Sequence, residues 1–570
     1  EDPLWMKLND LFRNPPSLFS LINSLGIQEA EAREQLGETI EQNLRRLAQI
    51  PEREYPVQAV PSEATVREAI TVFDLINSQG TPLSQSDIVL AYMTAEWPEI
   101  RRVLKQKLVE LEEAGFSFNL TFMTRCMVGV TEGVGDLTRF GEPSGSELRE
   151  GWSRLDKVLN YLLSFLRHRA KIIGDGDLNT SNVLVPLVVY LARHGWFTQA
   201  DESRFLYWAY AALYQRHYTG SVDTTLDRDI QALLEAPGPD ALLTNLKEDE
   251  GDAAITAPSL DMRGVGNPLY NMMSIVIRAR EAVDWANGLP LVTTTSEDFR
   301  IDRHHIFPSS VLVEAGWDTG ESQYARKRVH EIANRIPLTQ AGNLEIFDRP
   351  PFEYLPIVKD RYPGNLEKSL IPMNPELWKI ENYEHFLAQR RQLIANAINE
   401  HMESLLKGTQ AVTERGVSSL IAGGEGSTLE FKARFRGGSG DYRLETAAVK
   451  AVAGMLNAEG GKVLLGVKDE GEVIGIEADY QKQGKPNRDG FAVELTNELG
   501  AKLGANTLPL IQVHFADVDD HDVCIVEVSR SSKPVYTQEN GELKFYVRMQ
   551  SSTRPLDVFE ATEYIQDHFE

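Results

Sequence analysis

The sequence predicts a multidomain protein that is mainly α-helical in its N-terminal and middle regions and α+β in its C-terminal region. Three observations support this prediction. A chain of 570 residues is too long for one ordinary hydrophobic core and should divide into roughly three or four domains. Apolar residues recur at helical spacing over most of the chain up to about residue 405. After residue 427, short apolar runs typical of strands replace that pattern.

The composition indicates a soluble globular protein. Hydrophobic residues make up 42% of the chain and charged residues 25%, which excludes a fibrous or wholly disordered protein. We expect no membrane contact, because no apolar run reaches the roughly 18 residues of a membrane span and no signal peptide opens the chain. The two cysteines, Cys126 and Cys524, form no CxxC pair, so neither a disulfide framework nor a cysteine zinc site is predicted. A reducing cytoplasm fits this cysteine usage.

The net charge limits how the protein can contact nucleic acid. The formal charge is −26 at pH 7. A protein that coats nucleic acid non-specifically needs a basic surface to neutralise phosphates, so that class is excluded. Any contact with nucleic acid must therefore be local.

The first 405 residues divide into three predicted regions. Residues 1–100 are expected to be helical, and within them Ser84 followed by Asp87 predicts a capping box that restarts a helix after Gly80 and Pro82. Residues 101–265 are a helical region in which runs such as "LDKVLNYLLSFLRHR" predict packed core helices. Residues 266–405 form a further domain, which contains an unusual histidine segment.

That segment, "DRHHIFPSS", places two adjacent histidines between an aspartate and a proline. Downstream, Asn334 and Asn343 lie in "ANRIPLTQAGNLEIF". A strand carrying His304 and His305, a connecting segment, and asparagines that open a helix follow the order of an HNH, or ββα-metal, nuclease, which this region resembles. The resemblance implies that His304 and Asn343 ligate Mg²⁺ or Mn²⁺ and that His305 is the general base. It also places Asn334 in the catalytic motif, where it helps to order the loop.

The chemistry of phosphodiester hydrolysis explains these residue types. A base must take a proton from water, and histidine titrates near neutrality. A cation is needed at the leaving oxygen, where negative charge builds. Neighbouring strand residues point to opposite faces, so His304 and His305 can serve one site only if the strand end is distorted or the metal sits at its edge. Asp302 would orient a ring or be a third ligand; alternatively, both histidines form a structural polar corner beside it.

A wider resemblance covers roughly residues 1–400. "VFDLINSQGTPLSQSDIVLAYM" is similar to the end of the N-terminal domain of GmrSD-type, type IV restriction enzymes. "HHIFPSSVL" and "NRIPLTQAGNLEIFDRPPFEYLP" are similar to their C-terminal nuclease half. The resemblance implies a prokaryotic anti-phage enzyme that cuts foreign, typically modified, DNA and uses an NTP-dependent sensor domain.

The sensor domain is expected to be incomplete in this chain. Residues 1–100 would be its C-terminal part, yet the "DGQQR"-like motif of the family's sensors is absent. The chain begins at Glu1 and not at Met, so we expect the first part of the sensor to be missing and NTP binding only where that part is present. The sensor motif would include Asn77, Gly80 and Asp87, for which turn and cap chemistry is the structural alternative.

The C-terminal region is predicted to follow a linker. Residues 406–424 lack periodicity and end Gly-rich, which is typical of a linker. In residues 425–570, "KVLLGV", "EVIGI", "DVCIVEV" and "KFYVRM" predict strands, and "ETAAVKAVAGMLNAEGG" predicts a helix. "EGSTLEFKARFRGG", "NAEGGKVLLGVKDEGEVIGI" and "FYVRMQSSTRP" resemble the Schlafen AlbA-like (AlbA_2) domain, a module associated with nucleic-acid binding.

This resemblance implies two sets of candidate residues. In nuclease members of the Schlafen group, carboxylates bind metal at a site that cuts RNA; the matching second candidate site here comprises Glu425, Glu430, Lys432 and Asp469. Alternatively, these carboxylates form an exposed acidic face and a hairpin turn. Cations in "KARFRGG" and on a following strand would grip phosphate, with Phe435 stacking on a base; these cations are Arg434, Arg436 and Arg548.

The sequence leaves three functional hypotheses. The first is an HNH endonuclease that cuts DNA. The second is a nucleic-acid-binding regulator with a silent HNH fold. The third is a Schlafen-like RNase that acts through the C-terminal carboxylates. DNA is the expected partner, RNA is the alternative, and a homo-oligomer or a separate defence-system protein would be compatible with each hypothesis.

Overall fold

The computed structural model of this protein divides the chain into two compact units, Glu1–Ile76 and Asn77–Glu570. Its described residues are 12, 17–24, 30–54, 59, 61, 64, 68, 72, 83–291, 301–407, 414–435, 443–480, 486–539 and 541–569. Over these residues the chain is mostly helical and carries its larger sheets in the C-terminal region, as the sequence predicts.

The first unit includes two described helices, α1 (Leu18–Ser24) and α2 (Ala30–Ala48). On α2, Arg45 pairs with Glu41 one turn earlier, at 2.6 Å. Pairs at this spacing stabilise an exposed helix by only tenths of a kcal/mol. None of the helices described in either unit is long and apolar enough to cross a membrane.

The second unit begins with a bundle of helices. Two of them start at serines whose side chains form capping boxes, Ser84 with Asp87 and Ser144 with Glu147. Each box satisfies backbone N–H groups that have no partner inside the helix. The helices are α3 (Gln85–Glu96), α4 (Ile100–Glu113), α5 (Leu120–Glu132), α6 (Gly145–His168), α7 (Leu184–His194), α8 (Gln199–Gln215), α9 (Val222–Glu235), α10 (Pro239–Glu250), α11 (Ala257–Leu260) and α12 (Pro268–Ala279).

A two-stranded antiparallel sheet follows the bundle; it is called the hairpin below, although helices lie between its two strands. Strand β1 (Ile301–His305) pairs antiparallel with β2 (Arg335–Thr339), which places Ile301 opposite Thr339 and His305 opposite Arg335. The remaining helices of this part are α13 (Ser309–Glu314), α14 (Gln323–Val329), α15 (Gln340–Ile346), α16 (Pro351–Arg361), α17 (Asn365–Lys368) and α18 (Tyr383–Lys407). The hairpin is thus followed directly by helix α15.

Helix α18 supports the hairpin through one buried arginine. The guanidinium of Arg390 is fully buried and donates to the backbone oxygens of Ala333, Arg335 and Leu370. Carbonyl oxygens buried without a donor would cost free energy, so Arg390 holds the entry to β2 in place.

The C-terminal region contains two sheets and five helices among its described residues. The first sheet has the order β3-β4-β6-β5, in which β3 and β4 are parallel and the other pairs are antiparallel. The second is a meander in the order β7-β8-β9. The elements are α19 (Glu414–Gly423), β3 (Leu429–Lys432), α20 (Arg443–Leu456), β4 (Gly461–Leu465), α21 (Glu477–Tyr480), α22 (Arg488–Leu503), β5 (Ile511–Val518), β6 (His521–Val528), β7 (Tyr536–Glu539), β8 (Glu542–Met549), β9 (Ser552–Leu556) and α23 (Val558–Phe569).

Two local predictions were wrong. Much of the expected linker is helix α19, and Val417 on it is fully buried among residues that include Leu429 and Phe431 of β3. Burial of apolar side chains on the sheet stabilises this helix despite its Gly-rich end. The expected strand "EVIGI" contributes only an isolated bridge between Val467 and Val473.

The C-terminal region packs against the helical bundle. The 3₁₀ segment Ala505–Leu510 lies against α6. Trp196 Nε1 donates to Asn497 Oδ1 of α22 at 3.2 Å. A Cβ atom at residue Gly500 would lie 3.4 Å from the Trp196 ring, so the indole sits directly on the helix backbone. One continuous set of buried side chains extends from Val89 to Tyr546.

Candidate functional site

The turn between β2 and α15 is held by a buried carboxylate. Asp284 Oδ2 accepts the backbone N–H of Thr339 at 2.7 Å, and Thr339 Oγ1 accepts the N–H of Gly342 at 3.1 Å, which begins the helix. A Cβ at residue 342 would lie 2.6 Å from Asp284 Oδ2. Only glycine fits here, and this fit sets the position of the next residue, Asn343.

The hairpin and α15 bring together Asp302, His304 and Asn343. His304 Nδ1 lies 2.6 Å from Asn343 Oδ1, and Asn343 Nδ2 donates to Asp302 Oδ2 at 3.2 Å. His304 is 4% exposed, and burial lowers its pKa to about 4, so its ring is neutral at pH 7. Because Nδ1 donates to the amide oxygen, His304 Nε2 keeps its lone pair, and this buried atom has no hydrogen-bond partner. These three residues are called the His304 cluster below.

The His304 cluster offers one nitrogen and several oxygens as metal ligands. Over the part of the chain that the structure describes, no group of three or more His, Cys, Asp or Glu side chains is placed to hold a metal ion. The cluster contains two such residues, and its third potential ligand is the amide of Asn343. A buried lone pair without a partner, adjacent to amide and carboxylate oxygens, fits a cation ligand set.

His305 takes different partners from His304. Strand β1 is regular through His305, so the two rings lie on opposite faces, as strand geometry requires. His305 Nε2 lies 3.0 Å from Nδ1 of His330, and Arg335 Nη2 contacts the same His330 nitrogen at 3.1 Å. Burial, followed by the charges of Arg335, His330 and His304, lowers the pKa of His305 to about 3.

Sequence reasoning missed His330 and Arg335. Arg335 could have been found from the hairpin register, which places it directly opposite His305. His330 lies at the end of α14, and its residue type in the sequence does not reveal that it faces the strand.

Asn334 holds the loop and is not open to substrate. It is fully buried, its Nδ2 donates to the carbonyl oxygens of Phe307 and Val329, and its Oδ1 accepts the N–H of Phe307. Its grouping with the catalytic residues therefore does not fit its position. The expected role in ordering the loop does fit.

One of the C-terminal carboxylates, Glu430, pairs with a lysine. Lys432 Nζ pairs with Glu430 Oε1 at 2.6 Å. Burial lowers the pKa of Lys432, and the charges of Glu425 and Asp469 oppose that shift. Glu425 Oε1 also accepts the N–H of Phe431 at 2.7 Å, and Asp469 is exposed. The charge of Glu430 is thus balanced by an ammonium group, and among the residues that the structure describes these carboxylates do not form one of the three-ligand groups that could hold a metal ion.

The expected phosphate-binding residues have different environments. Arg434 is exposed, and Arg436 lies outside the described residues. Arg548 is buried, is paired with Glu430, and donates to the carbonyl oxygens of Gly426 and Leu429 at 2.8 and 3.0 Å. The prediction that Arg548 grips phosphate does not fit this placement, because its donors are already used inside the domain.

The expected base-stacking residue and the expected sensor motif can also be compared with the structure. Phe435 is fully buried and packs edge-on against Phe491, so it cannot stack on a base. Asp87 forms the capping box of α3, which agrees with its structural alternative. The other two residues of the expected sensor motif, Asn77 and Gly80, lie outside the described residues.

Comparison with known proteins identifies one domain. Residues 425–557 match the family described as Schlafen, AlbA_2. The matched range, called the AlbA_2 domain below, includes both C-terminal sheets. No curated protein matched the chain.

A solved structure shows a remote similarity. It is the crystal structure of the DIP2311 protein from Corynebacterium diphtheriae, with 19% sequence identity and a TM-score of 0.20. The alignment covers 27% of this chain and 32% of that chain. This chain therefore spans about a third of the length of that protein.

Proposed function

We propose that this chain is a metal-dependent DNA endonuclease whose hydrolytic centre combines the His304 cluster with His305 at the edge of strand β1. Because β1 is regular through His305, the two histidines can share one site only if the metal sits at that edge. The observation that supports this most is the 2.6 Å approach of His304 Nδ1 to Asn343 Oδ1. These side chains come from a strand and from the helix that follows its partner strand, which is the order expected for a ββα-metal centre. Asp302 binds the same amide and adds a carboxylate oxygen.

The residues present fit a divalent cation. Asp302, His304 and Asn343 would hold Mg²⁺ or Mn²⁺, which accept carboxylate and amide oxygens. When bound, the cation would supply positive charge for the leaving oxygen of the phosphodiester.

His305 would act as the general base. Its ring is neutral at pH 7 and can accept a proton from water. The water oxygen then forms a bond to phosphorus, the bond from phosphorus to the leaving oxygen breaks, and that oxygen takes a proton from solvent. A pKa of about 3 would make a weak base. The negative charge of a bound phosphate would raise this pKa towards neutrality, since a nearby anion favours the protonated ring.

The AlbA_2 domain would recruit nucleic acid to this centre. The exposed Arg434 follows β3 and is available for phosphate contact in a chain whose net charge is −26. The GmrSD resemblance extends the proposal to a restriction enzyme that acts on foreign, including modified, phage DNA.

The test is a cleavage assay with the full chain. Plasmid DNA, modified phage DNA and tRNA are incubated with Mg²⁺, with Mn²⁺ or with EDTA. We expect metal-dependent DNA cleavage that falls about 100-fold or more in His305→Ala, because the base contributes roughly 10²–10⁴ to the rate. The matched control is His385→Ala, which removes an exposed histidine of α18. Cleavage by His305→Ala at the control rate would reject the assignment.

A Schlafen-like RNase is the second candidate function. The contact of Glu430 with Lys432, whose pKa is also influenced by the charges of Glu425 and Asp469, supports it. Against it, both oxygens of Glu430 already contact cationic side chains, Lys432 and Arg548. Asp469 is exposed, so Asp469→Asn should leave the fold intact. RNA degradation by the full chain that this substitution abolishes would favour the RNase.

A further inference from the structure

A chain of three side chains lies beside the proposed centre: His305, His330 and Arg335. His305 Nε2 is 3.0 Å from His330 Nδ1, and Arg335 Nη2 is 3.1 Å from the same atom. Arg335 is itself held by the carbonyl oxygen of Arg303, to which Nη1 donates at 2.7 Å. The guanidinium therefore has a fixed position on the strand opposite His305.

The donor properties of these groups determine where the hydrogens lie. A guanidinium has only N–H donors and no acceptor, so the contact with Arg335 requires a lone pair on His330 Nδ1. If His330 Nδ1 carried a hydrogen, that hydrogen would point at the N–H groups of Arg335. His330 Nδ1 therefore has a lone pair, and the hydrogen in its 3.0 Å contact with His305 Nε2 must be carried by His305 Nε2. A neutral imidazole has one N–H, which leaves the lone pair of His305 on Nδ1.

We propose that His330 is a positioning residue: it accepts the Nε2–H of His305 and so presents Nδ1 of His305 as the proton acceptor. Arg335 acts on His305 indirectly: its N–H group donates to His330 Nδ1 and so keeps that nitrogen as a hydrogen-bond acceptor. The catalytic consequence rests on the proposed nuclease function, whereas the tautomer of His305 does not. In metal and hydrolytic centres, a group that fixes the tautomer of a histidine commonly affects activity without contacting substrate.

The tautomer can be measured without any activity. The full chain is labelled with [¹⁵N]histidine, and the ring signals of His305 are assigned by their loss in His305→Gln. We expect two-bond ¹H–¹⁵N spectra at neutral pH to show the hydrogen on Nε2. His330→Ala should give a mixture of tautomers. His330→Asn should restore the Nε2–H form, because the amide oxygen can accept the same hydrogen bond. A hydrogen on Nδ1 in the unsubstituted protein, or a spectrum unchanged in His330→Ala, would overturn the proposal.

The cleavage assay supplies the second readout. We expect kcat to fall about tenfold or more in His330→Ala, with the half-saturating Mg²⁺ concentration unchanged, and to recover in His330→Asn; a tenfold loss is a fraction of the whole effect of a base. Equal loss in both variants would mean that His330 is only structural. If the spectra agree with the proposal but the unsubstituted protein cuts no DNA, the nuclease function is wrong and the tautomer assignment stands.

Discussion

At the scale of single residues, burial decides which predicted polar groups are available for chemistry. His304 and Asn343 are brought together with a lone pair left unused, whereas Arg548 and Asn334 use their donors inside the protein. The residue types and spacing of a motif could be read from the sequence. The burial of Arg548 could not, because it depends on where β8 passes relative to β3.

Removal of a proposed ligand should affect metal affinity as well as rate. We expect His304→Ala and Asn343→Ala to raise the half-saturating Mg²⁺ or Mn²⁺ concentration for cleavage, since each removes an atom that would bind the cation. His305→Ala should lower the rate without that shift. Activity titrated against metal concentration checks both expectations, and an unchanged half-saturation point in both ligand variants would contradict their role.

The ion pair between Arg548 and Glu430 should matter for stability. Arg548→Met leaves Glu430 buried with a partner lost and two carbonyl oxygens without donors, so we expect the AlbA_2 domain to lose about 3 kcal/mol of unfolding free energy. The control is Arg554→Met, whose side chain is 52% exposed and pairs only at the surface. The loss of unfolding free energy in each variant is measured by hydrogen exchange of the β6 backbone amides. Equal protection in the two would show that the buried pair contributes little.

At the scale of secondary-structure elements, hydrophobic pattern and capping residues predict most of the helices, but tertiary contacts decide the ambiguous segments. The helix that contains "ETAAVKAV" was predicted, and it ends at Leu456, shortly before the two glycines of "NAEGG". Helix α19 was missed because the three apolar residues that hold it, Val417, Leu420 and Ile421, are too few to mark a helix before the adjacent sheet is known. The strand pattern of "EVIGI" was misleading, because Gly471 just before it and Gly475 within it both have positive φ and turn the chain.

The junction of β2 and α15 can be tested at Gly342. We expect Gly342→Ala to push Asp284 or the first turn of α15 aside, since the new Cβ would lie 2.6 Å from Asp284 Oδ2. The expected result is a loss of about 1–3 kcal/mol in stability and a lower cleavage rate, because Asn343 moves with the helix. Thermal unfolding and the cleavage assay provide the measurements. Gly266→Ala, where an added Cβ has open space, is the control, and identical behaviour of the two variants would contradict the close fit.

At the scale of the whole molecule, buried neutral histidines link stability to pH. Burial lowers the pKa of His401 from 6.5 to about 4. The unfolded chain therefore binds a proton at higher pH than the folded chain does. The stability that this group contributes is complete above pH 6.5 and is lost as the pH falls towards about 4.

This linkage predicts a specific effect of removing His401. Between pH 7 and pH 5 the unsubstituted protein should lose about 1–2 kcal/mol through this histidine alone. His401→Leu should therefore show a smaller drop in unfolding temperature over that range. The control is His194→Leu, which makes the same substitution at an exposed histidine. An equal pH dependence in the His401 variant and the unsubstituted protein would contradict the prediction.

The two cysteines provide natural reporters of how the second unit comes apart. Cys126 lies on α5 in the helical bundle and Cys524 on β6 of the AlbA_2 domain; both thiols are fully buried, and burial raises their pKa. Neither is reactive until its surroundings open. At increasing denaturant concentrations, the protein is treated with an alkylating reagent and each cysteine peptide is analysed by mass spectrometry. The denaturant concentration at which each thiol becomes alkylated reports when its region opens, with no engineered label. Simultaneous modification would indicate that the bundle and the AlbA_2 domain unfold as one cooperative body.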